Sequence, residues 1–211
     1  MKAVTYGLAA LIALAAPAAA EWSIIVSGHW LEQTGEQDPV GELAPGESEI
    51  DFDFDAGAGV GVGLLWEFSE TWAIEAKGSW AQLDGLIIQT LPDAVFILKL
   101  DAVDVVPITA VLQWRPDVSD TWHPYLGLGG GYLHFTDTEI LGDGGDVEFD
   151  GNIGLVAAGG FDYGFSERWF LNFDVKYIPF ETGLEGVLPT GERGETDFEP
   201  VLASAGVRYR F

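Results

Sequence analysis

Three copies of one short pattern partition this chain: Phe68-Ser69-Glu70-Thr71-Trp72, Val118-Ser119-Asp120-Thr121-Trp122 and Phe165-Ser166-Glu167-Arg168-Trp169. Each reads apolar residue, Ser, acid, any residue, Trp, and the copies lie 50 and 47 residues apart. Ser beside an acid is turn chemistry, because short polar side chains hydrogen-bond the local backbone. The flanking rings suit a membrane–water boundary, apolar on one side and wet on the other. On both sides of each copy the residues alternate with period two, as in a half-buried strand. Three like turns at a two-strand period describe an all-β, eight-stranded antiparallel up-and-down barrel whose short turns share one end.

Composition narrows the setting. Residues 1–20 read as a cleaved signal peptide: Lys2 opens it, Leu8 to Ala16 is a short apolar run, and Ala18-Ala19-Ala20 fits the cleavage rule. This leaves 21–211 as one barrel domain. No apolar run reaches the length of a spanning helix. Export without cysteine excludes a disulfide scaffold. The formal charge of −25 opposes nucleic-acid binding, which depends on cationic contacts to phosphate. Three segments, 32–55, 137–150 and 181–199, hold 21 of the 34 acids, all on the side opposite the short turns.

In a membrane barrel alternate residues face lipid and must be apolar. The second candidate strand is the clearest case: Phe52, Phe54, Ala56, Ala58, Val60, Val62, Leu64, Trp66 and Phe68 share one face. Asp53, Asp55, four glycines and Glu67 share the other, with Leu65 the apolar exception. The inward glycines would leave space for opposing aromatics or a narrow lumen. Six other segments follow the same rule, at 22–30, 72–80, 106–114, 152–163, 169–177 and 201–211, while 125–132 is nearly all apolar or Gly and the dyad there is ambiguous, with Leu126, Leu128 and Tyr132 placed outside. A soluble lipocalin-like barrel is apolar inside and polar outside, the inverse of this pattern. The dyad therefore predicts a transmembrane barrel, with Trp72, Trp122, Trp169 and the terminal Phe211 at the membrane interface.

The signal peptide, the strand Val105-Val106-Pro107-Ile108-Thr109-Ala110-Val111-Leu112-Gln113-Trp114, the segment His123-Pro124-Tyr125-Leu126-Gly127-Leu128-Gly129 and the ending Gly206-Val207-Arg208-Tyr209-Arg210-Phe211 resemble the OmpW family of Gram-negative outer-membrane proteins. The resemblance runs through the mature chain and is best from about 101 to 211. It implies an eight-stranded barrel in the outer membrane, reached through the periplasm, and a route for small hydrophobic molecules. The terminal aromatic resembles the signal read by the barrel-assembly machinery. Lipid and lipopolysaccharide are the surroundings it implies. No loop residue is carried over from the family, because the segment Gln33 to Glu49 is unusually acidic.

Several constellations are candidates for function. Glu67, Glu75, Lys77, Asp162, Asp174, Lys176, Arg208 and Arg210 all point inward on the dyad, four acids against four bases, and unpaired charge in a narrow barrel is costly. They are expected to form a paired plug or a selectivity element. Between the third and fourth barrel strands, residues 85–100 are apolar where a loop should be polar: Leu86, Ile87, Ile88, Leu91, Val95, Phe96 and Ile97. These residues are read as two strands extending above the membrane, as a greasy entrance, or as a lid. Pro107 inside a strand predicts a bulge or a break in the ladder, because it has no N–H to donate.

Ser27 and His29 lie two apart on one inward face, a conceivable Ser–His couple, but no acid partner is specified. No catalytic residue is assigned, and an enzyme is not expected. With three dispersed His and no Cys, no transition-metal spacing exists and no cofactor is expected. Asp51, Asp53 and Asp55 share one strand face, which reads as a solvated acidic rim before a cation site. The leading reading is a non-enzymatic outer-membrane barrel that admits small hydrophobic molecules, with lateral release into the outer leaflet. The alternative is a closed structural or surface-interaction barrel whose acidic loops contact cations, lipopolysaccharide or a partner.

Overall fold

The computed structural model describes residues 20–34, 49–54, 56–91, 94–99, 103–135, 138–139, 146–149, 152–185 and 194–211, with side chains placed at 20–34, 56–84, 103–135, 153–179 and 199–211. The strands are β1 (Glu21–Gln33), β2 (Glu49–Phe54), β3 (Gly57–Glu67), β4 (Trp72–Leu83), β5 (Gly85–Leu91), β6 (Ala94–Lys99), β7 (Val103–Trp114), β8 (Trp122–Phe135), β9 (Thr138–Glu139), β10 (Asp146–Phe149), β11 (Asn152–Gly164), β12 (Trp169–Tyr177), β13 (Phe180–Glu185), β14 (Gly194–Phe198) and β15 (Pro200–Arg210). Eight of them close a barrel in the order β1-β15-β12-β11-β8-β7-β4-β3. Every neighbouring pair is antiparallel, and β1 meets β15 from Ser23↔Arg210 to Gln33↔Pro200. Closure leaves no barrel edge with unpaired backbone, as a hydrocarbon surround requires. Residues 1–19 of the expected signal peptide lie outside the described residues.

The side-chain alternation follows the sequence dyad. Val26, Val60, Val62, Leu64, Ile108, Leu112, Leu126, Leu128, Leu155 and Val175 are exposed on the outer wall. Their inward neighbours, including Leu65, Glu75, Thr109, Gln113, Asn172 and Lys176, are buried. The second candidate strand is not one element. β2 ends at Phe54 and β3 begins at Gly57, and β2 pairs with β5, which pairs with β6, in a separate three-stranded sheet. The alternation runs through that division without a signal, because both halves keep one apolar face. A further four-stranded sheet, β14-β13-β10-β9, is built from the other long connections.

The three repeated turns use their serines alike. Ser69 Oγ accepts from the Trp72 N–H at 3.0 Å, Ser119 Oγ from Trp122 at 2.9 Å and Ser166 Oγ from Trp169 at 3.1 Å. Each bond ties the turn to the first residue of the next strand and leaves the Trp ring outside: Trp72, Trp122, Trp169 and Phe211 are all exposed on the outer wall at this end. Trp169 and Phe211 both pack against Tyr209, with ring centroids 4.8 and 5.5 Å away.

The space left by the inward glycines is taken by side chains of the neighbouring strands, the His29 ring among them. A Cβ on Gly59 would lie 2.0 Å from the Trp80 carbonyl oxygen and 2.5 Å from His29 Nε2. A Cβ on Gly61 would meet Ser79 Oγ at 2.6 Å. No side chain fits at Gly59 or Gly61, and the residues leaning over them come from β1 and β4.

Candidate functional site

The inward residues are layered along the barrel. Nearest the short turns is a tier of four charges. Glu67 ends β3, Asp162 lies on β11, Arg208 on β15, and Arg115 directly follows β7, its N–H donating to the Thr71 carbonyl at 2.8 Å. Arg208 Nη1 lies 3.2 Å from Glu67 and its Nε 3.4 Å from Asp162. Arg115 Nε lies 3.6 Å from Glu67, and its Nη2 pairs with Asp162. Burial works against the Arg115 charge, but Asp162 and Glu67 outweigh it and raise its pKa above the usual arginine value. The Arg208 guanidinium also lies 4.0 Å from the centre of the Phe170 ring, a cation–π contact in a dry setting. On the outer side of this tier a recess of about 400 Å³ opens between the turns, lined by Glu21, Glu70, Asp117, Arg115, Arg208 and Arg210.

A second tier sits deeper. Lys176 on β12 lies 2.8 Å from Glu75 on β4 and also pairs with Asp174. Lys77 lies 3.7 Å from Asp174. Neutral side chains join the tiers. Gln113 accepts from Arg115 at 2.6 Å and donates to Glu75 at 3.2 Å. Asn172 donates to Asp162 at 2.8 Å, and Tyr125 donates to Asp174 at 3.0 Å. Desolvation costs several kcal/mol per buried ion, and only close pairing with extra hydrogen bonds offsets it. Four acids and four bases here supply both.

Seven of the eight inward charges expected from the dyad lie in these tiers. Arg210 does not: it pairs with Glu21 at 2.7 Å and donates to the Glu167 carbonyl at 3.1 Å, at the mouth. Its place is taken by Arg115, which falls just past the end of β7 and so outside the strand alternation. Extending the dyad one step, with Gln113 inside and Trp114 outside, finds it.

Beyond the charges, toward the long connections, the lumen becomes neutral and then apolar. Ser27, His29, Ser79, Thr109 and Ser204 form the neutral layer, all buried. Ser27 Oγ has no hydrogen-bond partner within the protein and the His29 ring lies beside the Trp80 backbone, so no Ser–His couple is formed. Past them, Leu31, Ala81, Leu83, Val103, Val105, Leu133, Phe135, Ile178 and Leu202 all turn inward, none more than 3% exposed. They come from β1, β4, β7, β8 and β15 and from the residue that follows β12, and together make an apolar belt.

The ladder between β4 and β7 lapses at the lower edge of that belt. Pairing runs from Trp72↔Trp114 to Gly78↔Ile108 and resumes at Ala81↔Val105 in the same register. Ser79 and Trp80 therefore lack ladder partners opposite Pro107 and Val106. No extra residue is inserted, so the feature is a gap and not a bulge. On its other edge Pro107 keeps its register with Leu133. Leu86, Ile87, Ile88 and Leu91 lie on β5, and Val95, Phe96 and Ile97 on β6, which pair as a hairpin. Their side chains, and those of Asp51, Asp53 and Asp55, lie outside the described residues.

This architecture has close counterparts. The crystal structure of the outer membrane protein OprG from Pseudomonas aeruginosa superposes with a TM-score of 0.72 at 18% identity, covering 90% of this chain and 95% of that one. The solid-state NMR structure of outer membrane protein AlkL in lipid bilayers gives 0.62 at 20% identity, covering 90% of each. In sequence, AlkL of Ectopseudomonas oleovorans is 33% identical over 116 residues, 54% of this chain and 49% of AlkL. Outer membrane protein W of Vibrio cholerae is 36% identical over 81 residues, 36% of this chain and 37% of that protein. These alignments span half or less of the relatives' length. The family pattern covers far more, matching residues 33–211. The layered barrel, its outer-membrane neighbours in structure and the match across nearly the whole described fold agree: the chain belongs to the OmpW family of outer-membrane proteins.

Proposed function

We propose that this barrel admits small hydrophobic molecules from its long-loop end and releases them sideways into the outer leaflet. The observation that carries the reading is the layering of the lumen. An apolar belt lies directly over ion pairs that span the barrel from β4 to β12. An apolar molecule gains by entering the belt, at roughly 25 cal/mol per Å² of surface removed from water. It gains nothing by displacing paired charges. The gap in the ladder beside Pro107 lies at the junction of the two, and lateral release would pass there. Loop segment 85–100, with Ile87 and Phe96, is the proposed entrance. Lipid and lipopolysaccharide surround the wall in this reading, and Phe211 presents the terminal aromatic to the assembly machinery. No residue is given a catalytic or cofactor role.

The test is uptake of a small apolar dye by cells expressing the wild type, Ile87→Asp/Phe96→Asp or Pro107→Val. Both variants should assemble and slow uptake. If both assemble and import dye at the wild-type rate, the barrel is a closed surface protein whose acidic loops are its working parts.

A further inference from the structure

Between the apolar belt and the ion pairs lie hydrogen-bonding groups that neither layer uses. His29 is 6% exposed and Ser27 3%, yet Ser27 Oγ has no partner in the protein and the His29 ring has only the Trp80 backbone beside it, which leaves one ring nitrogen unpartnered. Buried polar groups are nearly always partnered, and an orphan costs about 1–3 kcal/mol. The register gathers neighbours of the same kind. His29 pairs with Ser204 on β15 and Gly59 on β3, and Ser27 with Gly206 and Gly61. Because Gly59 and Gly61 carry no side chain, His29 from β1 and Ser79 and Lys77 from β4 come together over β3. The Gly61 Cβ position is 2.6 Å from Ser79 Oγ and 3.3 Å from Lys77 Cε. Lys77 completes the ring, its Nζ donating to Ser204 Oγ at 3.1 Å.

We propose that the ring of Ser27, His29, Ser79 and Ser204 is a head-group subsite for an apolar molecule carrying one terminal neutral hydrogen-bonding group, a medium-chain primary alcohol being the simplest. The inference rests on the reading that the apolar belt admits small hydrophobic molecules. A hydroxyl both donates and accepts, and so do a neutral imidazole and the serine hydroxyls. A hydrocarbon would leave these groups unpartnered. A carboxylate would bring a charge to a layer whose nearest cation, Lys77, is already held by Asp174 and Ser204. The apolar belt adjoins the ring directly. Leu31 follows His29 by two residues and Leu202 precedes Ser204 by two, so the belt begins where the ring ends. Ser79 lies where the pairing of β4 to β7 lapses, which sets the head at the height of the gap in that ladder.

The first measurement is direct. The full barrel, labelled at its histidine rings and held in lipid nanodiscs, is titrated with 1-octanol, octane or octanoate. The His29 resonance is assigned by elimination with His123→Gln and His134→Gln. It should shift saturably with octanol and little with the other two. A His29 ring that ignores octanol is solvated by water only, and the subsite does not exist. The second measurement is the ratio of 1-octanol to octane uptake in cells expressing wild type, His29→Phe or Ser27→Ala, each checked for assembly by heat-modifiable gel mobility. The ratio should fall about tenfold in a variant that assembles, the equivalent of about 1.4 kcal/mol. If both compounds enter and both variants keep the wild-type ratio, uptake stands and the subsite falls. If neither compound enters wild-type cells while the His29 resonance still saturates with octanol, the subsite stands and the uptake reading falls.

Discussion

Lys176 and Glu75 meet at 2.8 Å across the full width of the barrel, from β12 to β4, strands that lie opposite each other in the closed order. A lumen that two side chains can bridge has no open bore at that level.

Lys176→Ala should therefore destabilise the barrel. Glu75 would keep only Gln113, and Asp174 would keep Tyr125 and the longer contact to Lys77. Removing one partner of a buried pair costs about 3–5 kcal/mol. The measurement is the urea midpoint of the barrel refolded in lipid, and an unchanged midpoint would place Lys176 in water. The same variant in a planar bilayer should pass more ion current than the wild type.

The tier beside the short turns should behave differently, because Arg115 and Arg208 share both acids. Each single Ala variant leaves Glu67 and Asp162 one cation, whereas the double variant leaves none. The double loss should exceed the sum of the singles by more than 0.5 kcal/mol, the coupling typical of groups in one network. Additive losses in a double-mutant cycle would mean the two arginines act separately.

Two glycine substitutions should part company. Gly59→Ala forces a methyl group to within 2.0 Å of the Trp80 carbonyl oxygen, while Gly28→Ala meets nothing nearer than the Gly59 oxygen at 3.9 Å. Folded yield, read from heat-modifiable mobility, should collapse for the first and hold for the second.

Orientation is open to protease. With Trp72, Trp122 and Trp169 at the periplasmic interface, protease added to intact cells should cut within 33–49, 85–100, 137–150 or 183–196. First cleavage at Ser69 or Ser166 would invert the barrel.

Faces were legible in this chain and partners were not. Lipid tolerates no polar residue on the outer wall, so Val60, Val62 and Leu64 alternate strictly against glycines and the period is unmistakable. The division between β2 and β3 left no mark, because Phe54 and Ala58 continue the same apolar face across it. Arg208 and Arg210 illustrate the other limit. They are two apart on one inward face and read alike, yet one rung of the strand separates a buried ion pair from a half-exposed one at the mouth. Which acid each arginine meets is decided by strand stagger around the barrel, and a single strand's alternation carries no information about stagger. Likewise the place of the His29 ring, over Gly59 and beside Ser27, emerges only once β3 is seen to bring glycines beside it.

The seam between β1 and β15 carries a consequence for the order of folding. It joins Ser23 to Arg210, residues from nearly the two extremes of the described barrel, whereas every other pairing in the wall joins consecutive barrel strands. Hairpins such as β3–β4 and β11–β12 close short loops and can form early and independently. The seam has to wait until the last strand has been delivered, and contacts of such long range are slow to form. Until then β1 and β15 each present a row of unsatisfied N–H and C=O groups, the kind of edge that recruits a wrong partner. The vulnerable moment in the life of this protein is thus an interval between synthesis and closure, and its length is set by how soon two strands about 180 residues apart find each other.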